Sequence, residues 1–414
     1  MLSKEQKGSI LLLLSSKAFE RLAFYMIMAI LVKYLMDTLD IEANKAGFYY
    51  SVFYGAAAIT TIFSGLLGDL RDRMKIVKIG FILLTGMYLV IAFLPGMSFL
   101  IAISLVLLGL GIGFTTSNIT VFLGNIYNEK EKEIIGLSGF ILFSIAVNIG
   151  AFIAPLMSFF LIDNLGGYPS VFLFASFFGL ISLILFLKFK TKYKSLDLIS
   201  EQQNHSTPLP EKRLNSLIVV SILIIGVIIR LALNQKGLTF NFAINDYIGE
   251  GFNLNGIIKN IEVLISISLL TLFAFIVTRV KSLNWGKVFN IILIGLSLSI
   301  LGFLLVGSYE YLSRIIGGKS IFLQSFFLVV VAEALIIPTI SYSIYRSSPV
   351  KFKGLYQGFA YIAIAISNQL IFIGLLLYDK IGTMTFIAFS GILLIAAVLT
   401  IILKKRVNHK LTEI

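Results

Sequence analysis

Residues 65–75 read Gly65-Leu66-Leu67-Gly68-Asp69-Leu70-Arg71-Asp72-Arg73-Met74-Lys75, a charged turn between two apolar runs, 45–68 and 76–94. Each flank has the roughly 20 residues that a helix needs to cross a hydrocarbon core about 30 Å thick. A polar turn between two such runs is a loop at one membrane face, and its arginines and lysine mark that face as cytoplasmic. The chain is therefore read as a succession of membrane crossings.

Working outward from this loop, the same pattern recurs. Apolar runs bounded by charge or turn residues occupy 9–36, 45–68, 76–94, 99–126, 134–162, 169–189, 215–235, 257–278, 287–307, 319–345, 354–378 and 381–403. Composition agrees: 58% of the 414 residues are apolar and 13% are charged, against roughly a quarter charged in an average soluble domain. The first run carries Lys17, Glu20 and Arg21 in its middle and is too long for the apolar stretch of a signal peptide, so it is expected to stay as a transmembrane helix. The net charge of +13 does not point to nucleic acid, because the basic residues gather in alternate loops and the tails rather than on a soluble module. That bias puts both termini in the cytoplasm and the chain in the cell (inner or plasma) membrane.

The longest polar stretch, 189–214, contains Glu201, Gln202, Gln203, Asn204, Pro208 and Pro210 and separates six runs from six. It reads as a cytoplasmic linker between an N-terminal bundle, 1–188, and a C-terminal bundle, 215–414. Two six-helix bundles are the plan of internally repeated transporters, whose solute site lies between the halves near the midplane. The expected fold is an all-α membrane protein with twelve transmembrane helices. Cysteine is absent, and the two histidines, His205 and His409, fall in the linker and the basic tail. No metal or cofactor is expected, and intramembrane enzymology, which needs a nucleophile with its base or a metal triad, is disfavoured.

The 65–75 loop resembles the signature of the major facilitator superfamily at this position, where glycines let helices approach and charges lock the cytoplasmic side. Asp69, Arg73 and Lys75 would be the locking charges. Further motifs narrow the resemblance. Phe19-Glu20-Arg21-Leu22-Ala23-Phe24-Tyr25 is similar to the ExxERFxYY motif of the proton-dependent oligopeptide transporters, with Lys17 in place of the first Glu. Gly111, Gly113, Thr116 and Asn118 follow that family's GxGGxKPN. The stretch from Phe140 through Val147, Asn148, Gly150, Ala151 and Phe152 to Pro155 follows FYxxINxGAFxAP, with Ser144 where an aromatic is usual. Asn234-Gln235-Lys236-Gly237 is similar to EQxG, and Glu333 with Pro338 matches ExxxxP, with Pro349, Gly354, Gly358 and Asn368 at family-like spacings. The chain is identified as a divergent member of this family.

The resemblance implies proton-coupled symport of di- and tripeptides or peptide-like solutes by alternating access, by a monomer in the lipid bilayer. It implies that Glu333 binds the peptide's amino group, a charge-assisted contact common to all peptides. The carboxylate end does not carry over, since Met28 and Thr116 stand where the family has Arg and Lys. The candidate solute-binding residues are Glu333, Tyr25, Asn148, Thr116, Arg230 and Asn234. Those for proton coupling and ion pairing are Glu20, Arg21, Lys17 and Glu333. The usual proton relay is broken at Lys17, Thr116 and Asn234, which leaves Glu20 and Glu333 as the acids through which protons would pass, Glu333 the better carrier because no basic residue lies within a helical turn of it in sequence. Lys17 and Arg230 would either supply a displaced carboxylate clamp or neutralise the acids.

Plainer readings stand beside these. Glu20 and Arg21 also fit a structural ion pair; Gly109, Gly111 and Gly113 fit helix packing rather than a dinucleotide loop; Asn148 fits interhelical glue; Glu262 fits an interfacial side chain that snorkels. Lys236 falls at the outer end of a span. A second functional reading keeps the fold but moves another amine-bearing solute, a metabolite, drug or siderophore, with export open as well as import.

Overall fold

The computed structural model describes residues 4–94, 97–127, 133–192, 209–249, 259–280 and 283–412. Among them every regular element is a helix, as expected where no water is at hand to satisfy an open backbone. In chain order these are α1 (Lys4–Leu39), α2 (Ala43–Leu70), α3 (Arg73–Phe93), α4 (Ser98–Ile126), α5 (Glu133–Asn164), α6 (Tyr168–Lys192), α7 (Leu209–Leu233), α8 (Thr239–Ile248), α9 (Lys259–Arg279), α10 (Trp285–Gly307), α11 (Tyr309–Ile316), α12 (Gly318–Ser347), α13 (Lys353–Gln369), α14 (Phe372–Ile381) and α15 (Met384–Thr412). Twelve stretches among the described residues are long and apolar enough to cross a membrane. The linker as read from the sequence, 189–214, lies largely outside the described residues.

The chain divides into two compact units. The first is Met1–Lys212 with Ser348–Ile362, and the second is Arg213–Ser347 with Ala363–Ile414. The opening half of α13 thus groups with the N-terminal unit.

In the first unit α1 packs on α5 and α6, α2 on α4, and α3 on α4 and α6. Close packing in lipid relies on small residues. A Cβ added at Gly80 would come within 2.9 Å of the Gly111 carbonyl, and one at Gly111 within 3.0 Å of the Gly80 carbonyl, so α3 and α4 meet backbone to backbone. The glycines of α4 are packing residues here. In the second unit α10 lies against α12 and α15, and α9 against α12. Phe240 anchors this unit, its ring 5.4 Å from Phe322 and 5.7 Å from Phe386.

Two spans are broken where the sequence reads them as continuous runs. Span 7 does not end at 235: a 3-10 turn at Asn234–Gly237 breaks the helix, which resumes as α8 and completes a stretch from Ser216 to Ile248. The polar run read as the end of the span is satisfied from within, with Gln235 fully buried and accepting from Thr239 Oγ1 at 2.7 Å. Span 11 likewise covers Val350–Ile381 and breaks between α13 and α14.

Candidate functional site

Three arrangements of buried charge stand out, two in the first unit and one in the second. The first is built where α2 ends. Helix α13 opens with backbone N–H groups that have no partner inside the helix, and its positive end favours an acid. Asp69 meets both needs: its carboxylate accepts from the Gly354 N–H at 2.9 Å and the Leu355 N–H at 2.8 Å. Arg73, one turn on, donates to Asp69 at 2.7 Å and, through its other terminal nitrogen, to Asn118 Oδ1 at 2.8 Å; the Asn118 amide in turn donates to Ser64 Oγ at 2.7 Å. Glycine is needed at the crossing, because a Cβ on Gly354 would sit 2.8 Å from Asp69 Oδ1 and against the Gly65 carbonyl. Lys75 takes no part: it is exposed and faces Asp72 at 3.7 Å.

The second arrangement lies within α1. Glu20 receives a two-pronged bond from Arg21, Nε to Oε2 at 2.8 Å and Nη2 to Oε1 at 2.9 Å, and Lys17 Nζ lies 2.8 Å from the same carboxylate. Arg21 also donates to Thr116 Oγ1 at 3.2 Å and lies over the Phe24 ring at 4.7 Å. Lys17 and Glu20 are 1% and 2% exposed and Arg21 12%. Two cations surround one acid in a nearly dry setting. The Tyr25 ring lies edge-on to Phe24 at 5.1 Å. The Asn148 amide donates to Ser144 O of its own helix at 2.8 Å, so this bond ties it to α5 rather than to a neighbour.

The third arrangement forms in the second unit where span 7 breaks. Lys236, on the 3-10 turn, reaches Glu333 of α12 at 2.6 Å and Glu262 of α9 at shorter range still, with the Phe326 ring 5.7 Å from its ammonium. Here one cation serves two acids. The Lys236 side chain is 8% exposed, whereas those of Glu262 and Glu333 are 23% and 20% exposed. Asn234 Nδ2 donates to Asn368 Oδ1 at 2.8 Å beside this turn, and Arg230 is half-buried on α7.

This cluster adds partners to two residues. Glu262, read from the sequence as an interfacial side chain, is ion-paired to Lys236 within the unit. Glu333, with no basic residue within a helical turn in sequence, gains Lys236 from another segment. Neither was legible in sequence, since the three residues lie on separate segments and share no spacing. The only signal was a lysine in a polar run after which the apolar pattern resumes at Phe240.

The Major Facilitator Superfamily family model matches residues 13–368. This chain belongs to the Major Facilitator Superfamily. A di-/tripeptide transporter of Lactococcus lactis subsp. lactis is 29% identical over 254 residues, 59% of this chain and 49% of the relative, so the chain spans about half the length of that protein. Among solved structures, a human organic anion transporter superposes with a TM-score of 0.75 at 14% identity, covering 96% of this chain and all of that one. A POT family transporter superposes with a TM-score of 0.66 at 15% identity, covering 96% of this chain and 98% of the other. At these identities the structures establish the fold alone.

As a superfamily member this chain is a multi-pass membrane transporter, not an enzyme. The arrangement at Asp69 suits a reversible tie between the end of α2 and the start of α13, because all its bonds are polar and none is covalent. Charges buried in membrane helices are costly and mark where function is to be sought.

Proposed function

We propose that this transporter carries di- and tripeptides or peptide-like solutes inward together with protons, by alternating access. The observation that carries the reading is the ammonium held at Glu333, a partly open carboxylate inside a span. The same geometry suits the amino terminus of a peptide, the cation that all such solutes share. The activity named for the Lactococcus lactis relative supports the choice of solute. Glu262 and Glu333 share one ammonium, so the group carries one negative charge in excess, which a proton or an amine neutralises. Glu333 is the proton carrier in this reading, while Glu20, matched by two cations, stays outside the proton's path. The Asp69 tie steadies one end state of the cycle. The chain works as a monomer in the cell (inner or plasma) membrane, both termini cytoplasmic.

A second reading is favoured by one observation. The Arg21 fork is already spent on Glu20 and Thr116, so the carboxylate of a peptide finds no ready partner there. On that account the solute is another amine-bearing molecule.

Counterflow in proteoliposomes, using a panel of dipeptides with and without an imposed pH gradient, tests both. Exchange of dipeptides with free amino termini, and accumulation that rises with an inward proton gradient, is the expected result. Exchange of simple amines but of no dipeptide would favour the second reading, and accumulation indifferent to the gradient would end proton coupling.

A further inference from the structure

We infer that Lys236 is a specificity residue that limits the solute to one ammonium group, by permanently occupying half of a site built for two cations. The inference rests on the reading of Glu333 as the amine-binding acid.

Lys236 is anchored at a discontinuity. The turn that carries it, Asn234–Gly237, is pinned by Gln235, which is fully buried, donates to Leu231 O at 3.1 Å and accepts from Thr239. From this fixed base a flexible four-carbon stem delivers a compact charge with three N–H donors. Two of those donors are engaged, by Glu262 and by Glu333. The Lys236 side chain is the most enclosed member of the group and the two glutamates are the more open ones, which is the order expected if the lysine belongs to the site and the acids meet an incoming cation.

Charge counting then sets the solute. A solute with one ammonium takes Glu333 and leaves Lys236 on Glu262, giving two cations on two acids. A solute with two ammonium groups gives three cations on two acids, and an uncompensated charge in an enclosed membrane site is costly. Lys236 therefore acts against dications. Were it only a structural tie, its removal would lower stability without changing which amine is bound.

The test uses the purified full-length chain in mildly alkaline buffer, so that a proton cannot stand in for a lost ammonium. The probes are pentylamine and cadaverine, which share a chain length and differ by one ammonium group, and the readout is the concentration of each that raises the melting temperature. The wild type should respond to pentylamine at the lower concentration. Lys236→Gln should reverse the order, with apparent affinity for cadaverine rising roughly tenfold. The double variant Lys236→Gln with Glu262→Gln, which again carries one excess negative charge, should restore the wild-type order. A wild type that binds cadaverine as well as pentylamine overturns the inference even if no variant folds. So does a wild-type order left untouched by Lys236→Gln. Absence of any amine response, together with amine uptake that survives Glu333→Gln, would instead overturn the amine-binding role of Glu333 on which the inference rests.

Discussion

The two buried charge groups, Lys17 with Glu20 and Arg21 in the first unit and Lys236 with Glu262 and Glu333 in the second, use the same three-membered plan with opposite sign. The first has two cations on one acid and is almost dry; the second has two acids on one cation and leaves both acids about a fifth open. The first is local, drawn from two turns of one helix with Thr116 in support, and both oxygens of its acid are already engaged by cations. The second draws on three helices around a broken span. A carboxylate that is locked by two cations holds a helix bundle together, whereas one that shares a cation can exchange it.

The strongest break of this comparison is at Glu333. Glu333→Gln should lower uptake of amine-bearing solutes by at least about a hundredfold, because a charge-assisted contact inside the membrane has no aqueous substitute. Counterflow at the wild-type rate in this variant would move amine recognition elsewhere.

Glu20→Gln should instead show as a loss of stability. Removing one partner of a buried pair leaves the others uncompensated at a cost of about 3–5 kcal/mol, and here Lys17 and Arg21 would both be stranded. Thermal unfolding in detergent reads the effect. Lys17→Met, which leaves the Glu20 and Arg21 pair neutral, should be much milder. If both variants melt like the wild type, the first group is not structural.

Asp69→Asn sharpens the comparison with a third acid, one bound mainly to backbone N–H groups and Arg73. Losing its charge at the start of α13 should slow turnover roughly tenfold while binding affinity stays within a few fold. Equal effects on both would assign Asp69 to the solute site. The smallest effect is expected at Lys75: exposed and 3.7 Å from Asp72, it belongs to the class of surface pairs that contribute little. Lys75→Gln should leave turnover unchanged, and a slowing comparable to Asp69→Asn would return it to the tie.

How much was legible follows from where each signal resides. Glu20, Arg21 and Lys17 could be grouped from sequence because neighbouring residues and an i, i+3 pair stay together on any helix. Asp69 and Arg73 could be grouped for the same reason, at i, i+4. Thr116 was named for its place in a motif, and only folding showed that its hydroxyl accepts from Arg21. Lys236 was passed over because a polar run was read as the end of a span, when its groups were in fact satisfied inside the protein.

The sequence by itself determined the membrane class, the all-helical architecture, the number of crossings, and the acids and cations that lipid would penalise. Each of these depends on run length, composition or short spacing, quantities that any folded form must preserve. The tertiary structure alone decided that Lys236 stands between Glu262 and Glu333, that the Asp69 carboxylate ends on the N–H groups of Gly354 and Leu355, and that spans 7 and 11 are broken. These are contacts and distortions set by which helices lie side by side, and residues separated by 26, 97 or 285 positions carry no local mark of their meeting.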